Sequence, residues 1–408
     1  MNRLSCVLLV VFLILGACDS DDENLFVDLN KDAPEVVSVL EVVNIPGGAI
    51  INYEIPDDEN LLGVKASYTR NNELVEVKAS KYVDTIRVEG FGDTASQEIE
   101  LRSIGYNGKE SSPILVDIDP LLPPVKTVRF ELESGFGGVV VDLKENTTNS
   151  ALAVIVLADT IGDSPLEEIH TFYTQATEIK LARRGLKPVN TNFGVFIRDR
   201  WGNVSDTLYA SLTPIQEIEL PKSDFRNAAL PTDYFETAEG SSNYRLENLW
   251  SGDNSSFYAS SHSGPIPQWF TIDLGRKMSI SRIQKWPRDE YELYSSTAPR
   301  TFEVWGSDDP NPDGSWDESW ELLGEFEQFK PSGYGEGLAV GPITDEDIDY
   351  WYNRTEFEFI PTENAPNPHK PVTHLRFKIT STFKTYGTED KMSQVIIGEL
   401  TFWGQLVD

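Results

Sequence analysis

Apolar and polar residues alternate one for one along most of this chain, and that period constrains the fold more than any other feature. Ile51, Tyr53 and Ile55 alternate with Asn52 and Glu54. Val128, Phe130 and Leu132 alternate with Arg129 and Glu131. Phe193, Val195 and Ile197 repeat the pattern, as do Leu375, Phe377 and Ile379. A period of two sends successive side chains to opposite faces of a strand, so one face enters a core and the other meets water. Clusters of Gly, Asn, Asp and Pro break these runs at close spacing, as antiparallel hairpins require. The exception is 344–352, where Thr344 and Asp347 are placed to cap a single helical turn. The expected class is all-β. The two cysteines, Cys6 and Cys18, both lie at the extreme N-terminus, so the folded body must be held by core burial without disulfides. A hydrophobic content of 39% and an aromatic content of 11% are sufficient for that.

The first half contains an internal repeat. Gly47-Gly48 opens one strand, and Gly137-Gly138 opens another ninety residues on; Leu62 and Val64 recur as Leu152 and Val154. The copies end alike, with Tyr106-Asn107-Gly108 before Pro120 and Arg200-Trp201-Gly202 before Pro214. A unit of roughly ninety residues with alternating strands fits an immunoglobulin-like or fibronectin type III-like sandwich. Leu121-Leu122-Pro123-Pro124 reads as a stiff connector. The expected division is two such sandwiches at 34–120 and 121–213, a linker at 214–233, and a different domain at 234–408. Eight of the nine tryptophans fall in that last stretch, which marks a different job or a larger core.

The N-terminus carries Arg3, an apolar run from Leu4 to Leu15, and Leu15-Gly16-Ala17-Cys18. This order resembles a bacterial lipoprotein signal spanning 1–18, with the Cys18 thiol as acyl acceptor. The run is short for a membrane span. Asp19, Asp21, Asp22 and Glu23 begin an acidic tether over 19–33, similar to the surface-export signal of Bacteroidetes lipoproteins. The implied location is the outer membrane, lipid-anchored and facing the exterior. The formal charge of −32 repels a phosphate backbone, which argues against nucleic acid as a partner.

The last domain carries a series of pieces: Leu249-Trp250-Ser251-Gly252-Asp253, Gln268-Trp269-Phe270-Thr271-Ile272-Asp273-Leu274-Gly275, Arg300-Thr301-Phe302-Glu303-Val304-Trp305, Leu375-Arg376-Phe377-Lys378-Ile379 and Ile397-Gly398-Glu399-Leu400-Thr401-Phe402-Trp403-Gly404. In this order they resemble the discoidin family, also called coagulation factor type C domains. The resemblance implies a jelly-roll β-sandwich with ligands bound at loops on one end. The whole chain resembles Bacteroidetes surface lipoproteins of polysaccharide-utilisation systems, with two fibronectin-like domains before a discoidin domain.

That resemblance places Arg288 and Trp286 at a strand-to-loop position where sugar hydroxyls are bound. A guanidinium offers fixed planar donors, and an indole stacks on the C–H face of a pyranose. Tyr291 and Tyr294 lie in the same loop, His262 in the 260–264 loop and Tyr386 in the 384–387 loop. Each also has a plainer reading: Trp286 as core, Arg288 paired with Asp289 or Glu290, His262 as a loop residue. The family's structural calcium needs hard oxygen ligands. Ser251 stands where the family has Asp, which leaves Asp253, Ser256 and Glu399 as candidate ligands. Asp309-Pro310-Asn311-Pro312-Asp313-Gly314 starts like an EF-hand loop, but Trp320 fills its twelfth position, so it reads as a hairpin between two strands. No nucleophile elbow, zinc-protease helix or phosphate loop occurs, and the four histidines have no metal-ligand spacing. The expectation is capture of a polysaccharide or oligosaccharide without catalysis. The rival is a structural or adhesion protein gripping a partner protein, such as an outer-membrane transporter.

Overall fold

The computed structural model describes residues 28–159, 161–162, 165–253, 255–288 and 292–407. Cys18, the acidic residues after it, Asp289, Glu290 and Tyr291 lie outside the described residues. Alternation becomes strand throughout. Strands β1–β7 (Ser38–Ile45, Gly48–Glu54, Leu61–Arg70, Glu73–Ser80, Thr85–Glu89, Gln97–Gly105, Ile114–Ile118) form two sheets in the orders β1-β2-β5 and β4-β3-β6-β7. Strands β8–β14 (Arg129–Gly135, Gly138–Lys144, Leu152–Ala158, Glu167–Thr174, Ile179–Arg183, Thr191–Asp199, Leu208–Leu212) repeat the plan as β12-β9-β8 and β11-β10-β13-β14. Each pair of sheets closes on its own core: Ile51, Tyr53, Val64 and Leu101 in the first, Val141, Val154, Val195 and Ile197 in the second.

The internal repeat has a structural counterpart. The chain leaving the first sandwich returns to its opening hairpin, where Gly47 N donates to Leu121 O at 2.8 Å. The chain leaving the second does the same, Gly137 N donating to Ile215 O at 2.7 Å. Both glycines have positive φ, 68° and 66°, which the tight hairpin requires. Trp201 wedges the first joint: a Cβ at Gly90 would come within 2.8 Å of its ring. Arg200 pairs with Glu89 at 2.9 Å across it, and Asn203 donates to Gly90 O at 3.1 Å.

The third sandwich contains β15–β24 (Ile218–Glu219, Arg226–Asn227, Tyr258–Ala259, Gln268–Trp286, Pro299–Ser307, Glu321–Glu327, Glu356–Glu358, Val372–Thr382, Ile396–Ile397, Glu399–Leu406). Its main sheet runs β15-β24-β18-β22-β19-β20. Residues 214–233, expected as a linker, are built into this domain. Ile218 pairs with Gly404 and Arg226 with Asp273, while Leu220 and Phe225 are each 1% exposed in the core. Apolar side chains at 220 and 225 draw the segment inward, and its two-residue strands are too short to show a period. Glu217 ties the second joint, accepting from Arg184 of the second sandwich at 2.8 Å and from Ser281 and Arg282 of the third at 2.6 and 3.2 Å. His369 packs against Phe136 across the same joint, their ring centroids 4.9 Å apart and tilted by 57°.

Strand β18 builds both layers. Its first half, Gln268 to Asp273, pairs with β22, and its second half, Met278 to Trp286, pairs with β24. Gly275 turns the bend at φ 73°. The layers meet in an aromatic core: Phe270 stacks on Phe377 at 5.4 Å, and Phe377 meets Phe402 edge-on at 5.9 Å. The expected helical turn forms as α1 (Asp345–Asp349), with Thr344 and Asp347 in a reciprocal capping box.

Candidate functional site

Register determines which loops share an end of the third sandwich. Gln268 faces Ile379, Pro299 faces Thr382, Thr301 faces Glu327, and Trp286 faces Glu399. Both halves of β18 run away from the bend at Gly275. The chain leaving Trp286, the chain entering Pro299, and the loops 260–267, 328–343 and 383–395 therefore all lie at the opposite end.

Two groups of side chains form there. In the first, Arg288 is exposed and its guanidinium sits 4.3 Å from the Phe257 ring, which in turn packs on Tyr244 at 5.1 Å. The turn beneath is tight: a Cβ at Gly398 would come within 2.4 Å of Pro287 O, so only glycine lets β24 start here. Trp286 is half-buried, and its Nε1 donates to Thr401 Oγ1 at 3.3 Å. In the second group, Tyr386 is half-buried with its ring 3.5 Å from the Arg300 guanidinium. Arg300 is 4% exposed, packs on Tyr334 at 4.2 Å, and donates from Nε to Glu327 at 3.2 Å. His262 is exposed at a turn held by Val395 N donating to Ser260 Oγ at 2.8 Å. Arg300, Tyr334 and Phe257 are absent from the sequence expectation. Arg300 opens an ordinary alternating strand, and only the fold brings the 328–343 loop over it.

Tyr294 is a correction. Expected as a ligand contact, it is 1% exposed, 4.6 Å from Trp351, and its hydroxyl donates to Asp347 O at 3.4 Å. The loop turns inward at this residue, at φ 45°, and the ring supports the loops from below. Beside it Lys285 is buried against Trp351 at 4.6 Å, and burial pushes its ammonium down to about 8 against the opposing effect of Glu292. The 328–343 loop is fixed by Lys330, fully buried and paired at 3.1 Å with the equally buried Asp347 of α1.

The calcium expectation also changes. Glu399 is 1% exposed and forms an ion pair with Lys222, whose ammonium supplies the cation that a metal would bring. Asp253 is exposed, its Oδ1 accepts from Ser255 N at 2.9 Å, and Ser256 Oγ donates to Asp253 O at 3.0 Å. Among the described residues no group of three or more His, Cys, Asp or Glu gathers at metal-ligand spacing. Lys222 thus engages one carboxylate oxygen of Glu399, and Asp253 and Ser256 are bonded within their own turn. A cleft on the second sandwich, lined by Tyr173, Ala153 and Arg198, belongs to a different domain from these loops.

Three sequence families match in succession, each described as a domain of unknown function: DUF4959 over residues 34–120, DUF5126 over 121–223 and DUF5000 over 247–404. No curated protein matches the sequence. Among solved structures, a SusE-like protein is 30% identical, with 70% of this chain and 100% of that one covered, at a TM-score of 0.42. A CBM32 module from a family 31 glycoside hydrolase of Clostridium perfringens is 18% identical, covering 46% of this chain and 95% of the module, at a TM-score of 0.31. The family 32 CBM of C. perfringens NanJ, solved with galactose, is 13% identical, covering 46% and 98%, at a TM-score of 0.28. Superpositions this loose transfer no site. The sequence identity across the whole of the first relative is a separate matter, and by it the chain belongs to the SusE-like family.

Proposed function

We infer that this protein is a cell-surface lipoprotein that captures glycan at the loop end of its third sandwich and does not turn it over. The carrying observation is the pairing of aromatic faces with fixed guanidinium groups at that end: Arg288 on Phe257 and Arg300 beneath Tyr386. The exposed Arg288 offers planar donors for hydroxyls beside a ring, and the buried Arg300 holds the Tyr386 ring as a face for C–H groups. Trp286, Arg288, His262 and Tyr386 are the proposed contacts, with Tyr291 of the same loop. Tyr294 is reassigned to their support. In this reading Cys18 bears the lipid, the first two sandwiches lift the loop end from the outer membrane, and an outer-membrane transporter receives what is captured. Membership in a SusE-like family supports the reading.

Affinity electrophoresis and calorimetry against a polysaccharide panel test it. The expected result is weak retention by at least one polysaccharide, reduced roughly tenfold by Arg288→Ala or Tyr386→Ala, the equivalent of about 1.4 kcal/mol. Folded protein that no polysaccharide retains overturns the proposal. Protein capture from the native envelope that survives both substitutions favours an adhesion role instead.

A further inference from the structure

Four tryptophans of the third sandwich lie away from the loop end. Trp269, Trp305, Trp316 and Trp320 gather on the outer face of the β18-β22-β19 sheet. Two rows of that face are fixed by register: Trp269, Lys378 and Glu303, then Thr271, Arg376 and Trp305. An outward face of an antiparallel sheet normally meets water. Here the β19–β20 loop folds back across it. Asx-type turns shape the loop, Asp313 accepting from Ser315 N at 2.8 Å and Asp317 from Ser319 N at 3.0 Å. Thr232 Oγ1 pins it by donating to Gly314 O at 2.6 Å.

The fold-back sets Trp316 over the β22 strand, with the Arg376 guanidinium 4.6 Å from its ring. Its ring centroid is 5.4 Å from Trp269 and 5.3 Å from Trp305, at interplanar angles of 77° and 76°. Strands two apart in a sheet are separated by roughly 9–10 Å. The two spacings therefore place Trp316 between Trp269 and Trp305, nearly perpendicular to both. The three rings make a trough. Arg376 is completely buried beneath, held by Thr271 Oγ1 at 3.0 Å and Asp233 at 3.6 Å and capped by Trp320 at 4.1 Å. Trp320 is 5% exposed, as a packing residue would be, but Trp316 remains 37% exposed. One rim of the trough is polar. Lys378 Nζ lies 5.6 Å from the Trp316 ring and pairs with Glu303 at 3.0 Å, and Glu303 accepts from Trp305 Nε1 at 2.7 Å.

An exposed indole beside a fixed ammonium and carboxylate is matched by a ligand with an apolar face and hydroxyl edges. The rim pair is charge-balanced, and the chain carries −32, so a polyanionic ligand is disfavoured. We propose that the trough is a second saccharide subsite, separate from the loop end, that takes neutral pyranose units of a longer glycan. The C–H face of one unit rests on Trp316, and its hydroxyls reach Glu303 and Lys378. The proposal rests on the glycan-binding reading and adds a second contact to it.

The test uses the whole protein with a panel of neutral polysaccharides, their short oligosaccharides, and a uronate polymer as the charged control. Trp316→Ala is expected to weaken retention by long neutral chains about tenfold while leaving short oligosaccharides bound at the loops unchanged. Glu303→Gln, which keeps the packing, is expected to act in the same direction. Arg288→Ala weakens both ligand sizes. Circular dichroism and urea unfolding confirm that each variant is folded. If wild type is retained but Trp316→Ala and Glu303→Gln match it on every polysaccharide, the trough is packing alone and this proposal fails by itself. A wild type retained by nothing overturns the glycan reading and this one together.

Discussion

Removing the Asp347 carboxylate tests the account of the loop end most directly. Asp347 and Lys330 are both fully inaccessible and 3.1 Å apart. Asp347 also accepts from Ser332 N at 2.9 Å, Ser332 Oγ at 2.7 Å and Thr344 N at 2.8 Å. Lys330 donates to Gly333 O at 2.9 Å and Pro342 O at 2.8 Å. Asp347→Ala would leave a buried ammonium without its counter-charge, together with donors that water does not reach. Breaking a buried pair in this way costs about 3–5 kcal/mol. A domain of this size loses roughly 2–4 °C per kcal/mol, so the midpoint should fall by ~6–20 °C. Tryptophan fluorescence is the assay, because eight of the nine indoles lie in the third sandwich. The double variant Lys330→Met/Asp347→Leu should recover only the part of the loss due to the stranded ammonium, since the Ser332 and Thr344 N–H groups stay without their acceptor. Acid supplies a second readout. Burial pushes the Asp347 carboxyl up, but the Ser332 and Thr344 N–H groups, the Ser332 hydroxyl and Lys330 together hold it well below the usual carboxylate range. A depressed folded value stabilises above the unfolded value near 3.9, and that contribution fades as pH falls below it. The gap between wild type and Asp347→Ala should therefore narrow below about pH 4. A gap under ~1 kcal/mol at neutral pH, or a double variant no better than the single, refutes the reasoning.

Lys222→Ala strands the buried Glu399 carboxylate and should destabilise the third sandwich by a few kcal/mol (~3). Chelation of divalent cations should leave the wild-type midpoint unchanged, and a fall above ~2 °C would restore calcium to the account. Lys285 is held down to about 8, so between pH 8 and its unfolded value near 10.4 the unfolded chain binds more protons and stability rises with pH. Lys285→Met should abolish that rise in urea titrations, and an unchanged profile would show that Lys285 is not its source. Glu217→Ala removes the acceptor shared by Arg184, Ser281 and Arg282, and should raise the radius of gyration in small-angle scattering. An identical scattering curve would mean the joint is held by other contacts.

Alternation made the strands legible, because a period of two survives wherever a strand has one wet face. The repeat was legible for the same reason, since Gly47 and Gly137 mark equivalent hairpins. What was lost in the sequence was anything that depends on a neighbour. Ile218–Glu219 and Arg226–Asn227 are too short to show a period, so an integral part of the sheet looked like a linker. Tyr294 looked like a loop aromatic, because nothing local reports that the loop turns inward. Arg376 alternates outward and by pattern belongs in water; it is completely buried because a loop sixty residues earlier lays Trp316 and Trp320 over it. The abundance of tryptophan was visible, but its division between core and outer face was not. Glu399 is a metal-ligand candidate by the family resemblance alone, and its cationic partner, Lys222, lies 177 residues away, beyond the reach of any local pattern.

In the proposed reading, the second joint bears on how the loop end meets a long glycan. A free segment of twenty residues would let its ends wander by roughly 5–6 Å × √20, or about 25 Å. Here that stretch is sewn into the third sheet and Glu217 is gripped from both sides. In the proposed reading, the loop end is therefore held in a fixed relation to the second sandwich, without the wander of a free linker. Once one unit of a long chain is held, the next is searched for in a small volume, at high effective concentration. A joint held in this way can thus stand in for strength of any single contact.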